Sequence, residues 1–139
     1  MTKEVSILIN SLQKQEQGEK VAVGFTGNYY LKNGIHYIFY DEVTEGGGII
    51  KNSVRISQRR VEIAKKGELS YRLVFETSEN NVSYYITPYG KLEMDISTES
   101  VEVHESDDSI GVKIKYALKI DKEHFTDCEV AIDISSAKT

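Results

Sequence analysis

The segment GVKIKYALKI, from Gly111 to Ile120, alternates with a period of two. Val112, Ile114, Tyr116, Leu118 and Ile120 share one face, while Lys113, Lys115, Ala117 and Lys119 share the other. Strict alternation of this kind predicts a strand with one buried and one wet face. CEVAIDI repeats it with Val130, Ile132 and Ile134 inward, and a polar hairpin loop over 121–127 joins the two. LSYRLVFE places Leu69, Tyr71, Leu73 and Phe75 inward. VAVGFTGNYYLK reads as a long strand with Val21, Val23 and Phe25 on one face, and Gly24 and Gly27 are points where it bends. IHYIFYDEV is apolar on both faces and so predicts a central strand. Near the N-terminus, Val5, Leu8, Ile9 and Leu12 fit a helix face, but Val5, Ile7 and Ile9 fit a strand. The β-branched content favours the strand.

Turn signals punctuate these runs roughly every 8 to 15 residues. Asn33-Gly34 predicts a two-residue hairpin loop. Gly46-Gly47-Gly48 and the polar stretch from Thr77 to Asn81 predict further loops. Two hairpins can be registered by matching faces. Setting Ile56 opposite Val61 and Val54 opposite Ile63 brings Arg55 against Glu62 and Asn52 against Lys65. Setting Ile86 opposite Leu92, Tyr84 opposite Met94 and Val82 opposite Ile96 leaves Pro88-Tyr89-Gly90 as a loop. Pro88 then fixes a turn φ and Gly90 supplies a positive one. The alternation slips phase between Thr98 and Val101, which predicts a bulge. No helix is predicted. The pattern implies one all-β domain over 1–139. Its architecture is an antiparallel up-and-down barrel of about eight to ten strands.

Composition fits that picture. The chain is 40% hydrophobic, with 9 Tyr, 4 Phe and no Trp, a mix that favours strands. Cys128 is the single cysteine, so no internal disulfide forms. No apolar run reaches the roughly 18 residues of a membrane span. The first residues lack the pattern of a signal peptide. These features predict a cytoplasmic protein with no membrane partner. The net charge of −5 opposes nucleic-acid binding.

Enzymatic readings find little footing. His36, His104 and His124 are isolated and lack metal-ligand spacing. HESDDS, from His104 to Ser109, lacks the glycine and periodicity of a calcium loop and reads as an acidic hairpin loop. Cys128 has Glu129 beside it, which would raise the thiol pKa. No catalytic residue, metal or cofactor is therefore predicted.

Strand parity gives a sharper candidate. Glu42 continues the inward face of Ile38 and Tyr40. Asn52 continues that of Val54 and Ile56, Lys65 that of Val61 and Ile63, and Thr98 that of Met94 and Ile96. With the inward Tyr116, these residues would form a polar rim over an apolar interior, the make-up of a small-ligand pocket. Lys65 and Glu42 would either pair or separate to hold an anion. Two plainer readings compete: the strand ends fray into water, or Phe25, Tyr84, Met94 and Tyr116 fill the interior. A second functional class is an interaction or homodimerising module using exposed Tyr30, Tyr85 and Tyr89. A third is anion or RNA binding through Arg55, Arg59 and Arg60, with Lys65 and Lys66 nearby; a solvated hairpin accounts for the same charges.

Gly27-Asn28-Tyr29-Tyr30, the strand ending Tyr40-Asp41-Glu42, Val61-x-Ile63-x-Lys65-x-Gly67, Phe75, and Tyr85 to Gly90 followed by a strand to Thr98 carry a resemblance. In order and spacing, over nearly the whole chain, they resemble the YwiB-like family of small bacterial proteins. That resemblance implies a calycin-like β-barrel, similar in shape to the lipocalins, and brings no established activity. Lys65 stands where the family pattern leads one to expect arginine, so a bidentate role there does not carry over.

Overall fold

The structure is a computed structural model and describes residues 3–13, 20–68, 70–123 and 126–137. Leu69 and His124 lie outside the described residues. The alternating segments form ten strands: β1 (Glu4–Gln13), β2 (Lys20–Lys32), β3 (Ile35–Val43), β4 (Ile49–Ile56), β5 (Arg60–Lys66), β6 (Tyr71–Glu76), β7 (Asn80–Thr87), β8 (Gly90–Glu105), β9 (Ser109–Ile120) and β10 (Thr126–Ser136). They pair antiparallel in one sheet of order β6-β5-β4-β3-β2-β1-β10-β9-β8-β7. The β1–β10 ladder, from Val5↔Ser136 to Gln13↔Cys128, joins the two halves of the sheet, whose edges β6 and β7 approach to make a nearly closed barrel. Between β6 and β7 the ring is bridged at Ser70↔Ile86, and the Ser83 hydroxyl donates to the Arg72 carbonyl.

Several local signals act as their chemistry dictates. Asn33 and Gly34 both take positive φ, 53° and 77°, closing a two-residue hairpin. The β4–β5 register pairs Ile56 with Val61, Val54 with Ile63, Arg55 with Glu62 and Asn52 with Lys65, as face-matching requires. The register of β8 on β9 shifts between Thr98 and Ser100, leaving Glu99 as the bulge.

The β7–β8 hairpin differs by one residue from the face-matched expectation. Gly90 pairs with Thr87, so only Pro88 and Tyr89 remain in the loop. The Thr87 hydroxyl accepts from the Tyr89 amide at 3.1 Å and donates to the Gly90 carbonyl at 3.0 Å, holding the tight turn. Gly90 takes φ 138° inside the strand rather than in the loop. The slip reverses the faces of β7. Tyr85 now turns inward, where it stacks on Tyr71 at 5.4 Å, while Val82, Tyr84 and Ile86 are exposed. Tyr84 therefore does not fill the interior. β3 lies within the sheet, yet its outer face is uncovered: Phe39 and Val43 are exposed.

Packing is graded along the barrel axis. At one end Val5, Ile7, Ile38, Ile56, Val61, Phe75, Ile110 and Ile134 are fully buried against one another. Each such side chain contributes about 1.5–3 kcal/mol by leaving water. At the other end the inward residues Ile9, Phe25, Ile63 and Leu73 are only partly buried, and Val23 is exposed. Among the described residues no helix is long and apolar enough to cross a membrane.

The two glycines of β2 have different duties. A Cβ at Gly27 would overlap the Phe39 carbonyl oxygen and lie 3.0 Å from Ile7 Cδ1 and 3.1 Å from Tyr40 Cβ. At Gly24 the nearest atom is the Ile7 carbonyl oxygen at 3.8 Å, an ordinary contact. Gly27→Ala should lower unfolding free energy by about 3 kcal/mol, because backbone must move. Gly24→Ala should leave it within about 0.5 kcal/mol or raise it slightly. Urea denaturation of the two variants checks the contrast.

Candidate functional site

The loosely packed end holds a polar row built by strand register. Tyr40 pairs with Asn52, Asn52 with Lys65, and Lys65 with Tyr71, so β3 to β6 each place one inward side chain at the same level. Glu42, two residues beyond Tyr40, shares its face. Lys65 Nζ donates to Glu42 Oε1 at 2.6 Å and sits 6.0 Å from the centre of the Tyr71 ring. The two charged side chains are 24% and 26% exposed, so the pair is mostly withdrawn from water at the mouth of the barrel. Burial works against the Lys65 ammonium, but its hydrogen bond to Glu42 and the electrostatic pull of Tyr71 and Glu42 outweigh that and hold its pKa above the ordinary value. Burial also pushes the Tyr71 phenol up, against the pull of Lys65. Tyr40 is raised by burial and then by Glu42, and Tyr116 by burial and then by Cys128. The site thus presents one ammonium, one carboxylate and protonated phenols.

Beneath this rim lies a cavity of about 260 Å³. Phe25, Tyr40, Leu73, Phe75, Tyr116 and Ile132 line its walls, and Glu42, Lys65, Tyr71 and Ser11 are its polar members. Phe25 packs on Tyr40 at 4.5 Å and Phe75 on Tyr116 at 4.7 Å between ring centres. Parity correctly brings Glu42, Lys65 and Tyr116 to one interior.

The other predicted residues fall elsewhere. Asn52 is buried behind Lys65, not on the cavity wall; its Nδ2 donates to the Ile50 carbonyl at 3.3 Å, and its Oδ1 has no partner. Thr98 is buried opposite Tyr116, but it lines a separate crevice of about 440 Å³ with Ser97, Glu99 and Lys115. It does not belong to the rim, because β8 crosses beneath the β6–β7 loop, where the Thr98 backbone bonds to Ser78 and Glu79. Of the three tyrosines expected on the surface, Tyr30 and Tyr89 are exposed, Tyr89 at 99%, whereas Tyr85 is half-buried on Tyr71. Cys128 is buried, and burial rather than Glu129 raises its thiol pKa, with Tyr116 opposing and Asp127 adding.

The sequence pattern misses one cluster. At the packed end His36 is buried between Tyr29 and Glu105. With the proton on Nε2, it donates to the Glu105 carboxylate and accepts the Tyr29 hydroxyl at 2.7 Å on Nδ1. His36 and Glu105 are 69 residues apart and reach each other across the barrel end from β3 and β8. Burial, then Glu105, raises the Tyr29 phenol pKa. The contact braces the end opposite the cavity.

The basic cluster is organised by a single acid. Glu62 is nearly buried on the outer face and takes Arg60 and Arg72 at 2.7 Å and Arg55 at 3.5 Å. Arg59 is exposed in the β4–β5 loop. Burial alone would raise the Glu62 carboxyl, but the Arg72 hydrogen bond and the charges of Arg72, Arg60 and Arg55 hold it below its ordinary value.

Comparisons with known proteins point the same way as the fold. The family model described as Domain of unknown function (DUF1934) matches residues 6–132. A relative from Bacillus subtilis (strain 168), described as uncharacterized beta-barrel protein YwiB, is 25% identical over 111 residues, 78% of each chain. The crystal structure of the YwiB protein from Bacillus subtilis superposes with a TM-score of 0.86 at 20% identity, over 98% of this chain and 93% of that one. At that identity the likeness speaks to the barrel alone.

Glu62 yields a pH prediction. Its folded pKa lies below the ordinary 4.5, so its contribution is present above that value and fades as pH falls through the folded pKa. Glu62→Gln should lower stability near neutral pH by about 2 kcal/mol. Urea titrations of both proteins should converge on acidification, since only the wild type has this carboxylate to lose.

Proposed function

The chain belongs to the DUF1934 family, whose description carries no activity, and from its own interior we propose that it is a calycin-like binding module for one small, partly apolar ligand. The observation that carries this reading is the graded barrel: one end is packed solid, and the other keeps a 260 Å³ cavity under a polar rim. Apolar walls with a few convergent polar groups are the common form of a small-ligand site. Phe25, Phe75 and Tyr116 would hold the ligand body, and Glu42, Lys65 and Tyr71 its polar group. Asn52 would support Lys65 from behind. The function is one of binding rather than catalysis: the phenols and the lysine are held in their protonated forms, which suits recognition and not proton abstraction.

The apolar face points inward and the lysines of β9 point outward, the inverse of a membrane-spanning barrel. This orientation supports a reading with no membrane partner, and a cytoplasmic location is part of the same proposal. Nucleic acid is disfavoured because Arg55 and Arg60 are engaged by Glu62. One observation favours a second reading, a homodimer through the outer face: Tyr30 packs edge-on against Phe39 at 6.0 Å and both rings are exposed. Light scattering that returns a strict monomer would remove that reading.

The chain has no Trp, so the fluorescence of an indole probe has no tryptophan background. Indole should bind the wild type saturably. Ile63→Phe, which extends a ring into the cavity from a partly buried wall position, should weaken binding at least about tenfold while the protein stays folded. Binding that Ile63→Phe leaves unchanged would remove the cavity as the site.

A further inference from the structure

Resting on the cavity as a ligand site, we propose that its ligand is net neutral and bipolar: a cationic donor and an anionic acceptor, as in a zwitterionic amino acid, on an aromatic or branched apolar body. Glu42 and Lys65 are the only charged side chains of the described cavity lining, and their charges cancel. They are paired at 2.6 Å and largely withdrawn from water. An anionic ligand that takes Lys65 strips Glu42 of its counter-charge in apolar surroundings. A cationic ligand that takes Glu42 does the same to Lys65. Removing one partner of a withdrawn pair is the costly step, whereas exchanging both partners at once is not. A bipolar group inserted between them gives each charge a new opposite.

The free bonding capacity at the rim agrees. Glu42 engages Lys65 through Oε1 alone, which leaves Oε2 to accept from a ligand ammonium. Lys65 has three donors, of which Glu42 takes one. Either of the remaining two suits a ligand carboxylate. The orphaned Oδ1 of buried Asn52 lies in the row directly beside Lys65. Opposed inward side chains on paired strands are within mutual reach. Asn52 therefore offers the ammonium a second acceptor when a ligand draws it away from Glu42, and its unmet hydrogen bond gains a purpose. The ring pairs Phe25–Tyr40 and Phe75–Tyr116 set the preference for a flat or branched body below.

Four probes with one body test this: indole, L-tryptophan, indole-3-propionate and tryptamine, titrated near neutral pH into the full chain by fluorescence and calorimetry. Tryptophan should bind at least about tenfold more tightly than the singly charged probes. Lys65→Met should make tryptamine the preferred probe, and Glu42→Gln should make the propionate preferred. The double variant, which removes both charges together, should lose discrimination and keep indole binding; it serves where a single variant fails to fold. A wild type that prefers the propionate or tryptamine, or a double variant that still favours tryptophan, overturns the inference. If indole binds and tryptophan binds no better, the bipolar assignment falls and the cavity reading stands. If no probe binds, the cavity reading itself falls.

Discussion

The ladder between β1 and β10 joins the first strand of the chain to the last over nine consecutive residue pairs. It makes one sheet of β1–β6 and β7–β10, and the meeting of the edges β6 and β7 gives each inward face an opposite wall. Without the ladder, Val5, Ile7 and Ile134 would be on open edges instead of inside a core. At Gly27, β2 runs so close to β3 and Ile7 that no side chain fits, and strand tilt around the ring sets such close approaches. Both the packed end and the hollow end follow from that geometry. The same tilt brings Glu105 of β8 to His36 of β3 across the packed mouth.

The hollow end stays hollow because its inward residues are few and polar at the rim. Val5, Ile38, Ile56 and Phe75 saturate one half of the axis, while the row Tyr40, Asn52, Lys65 and Tyr71 cannot pack shut without burying a charge. The Lys65–Glu42 pair resolves this by lying across the opening, partly solvated and mutually neutralised. Stability is thus concentrated at the end that does not bind, and the cavity end carries the polar groups that folding alone does not need.

Much of this was legible in the sequence because a period of two ties identity to direction. Glu42, Lys65 and Tyr116 were assigned to the interior by parity, and the β4–β5 register was fixed by matching both faces at once. Parity failed where it was degenerate. Tyr84 and Tyr85 are adjacent aromatics, so either register of β7 puts a ring inward, and the Thr87 hydroxyl decided the matter. Parity also says nothing about height along the axis. Thr98 takes the face that parity gives it, but its level, away from Glu42 and Lys65, is set by the bulge at Glu99 and the contacts with the β6–β7 loop, which depend on the closed ring. The Tyr29–His36–Glu105 contact left no local trace, since it joins strands that meet only across the barrel.

The strand order also separates two things that usually coincide. The sheet runs β6 back to β1, then β10 back to β7, so its weak edge lies between β6 and β7 and not at the ends of the chain. Ala137 donates to the Glu4 carbonyl at 3.0 Å, which sets the start of β1 beside the residue after β10. Read as a circle, the ten strands form a plain meander whose break in hydrogen bonding lies between β6 and β7, away from β1 and β10. A chain relinked near Glu4 and Ala137 and reopened in the β6–β7 loop would have its covalent ends where the ladder already ends. Sequence order and spatial order would then be the same.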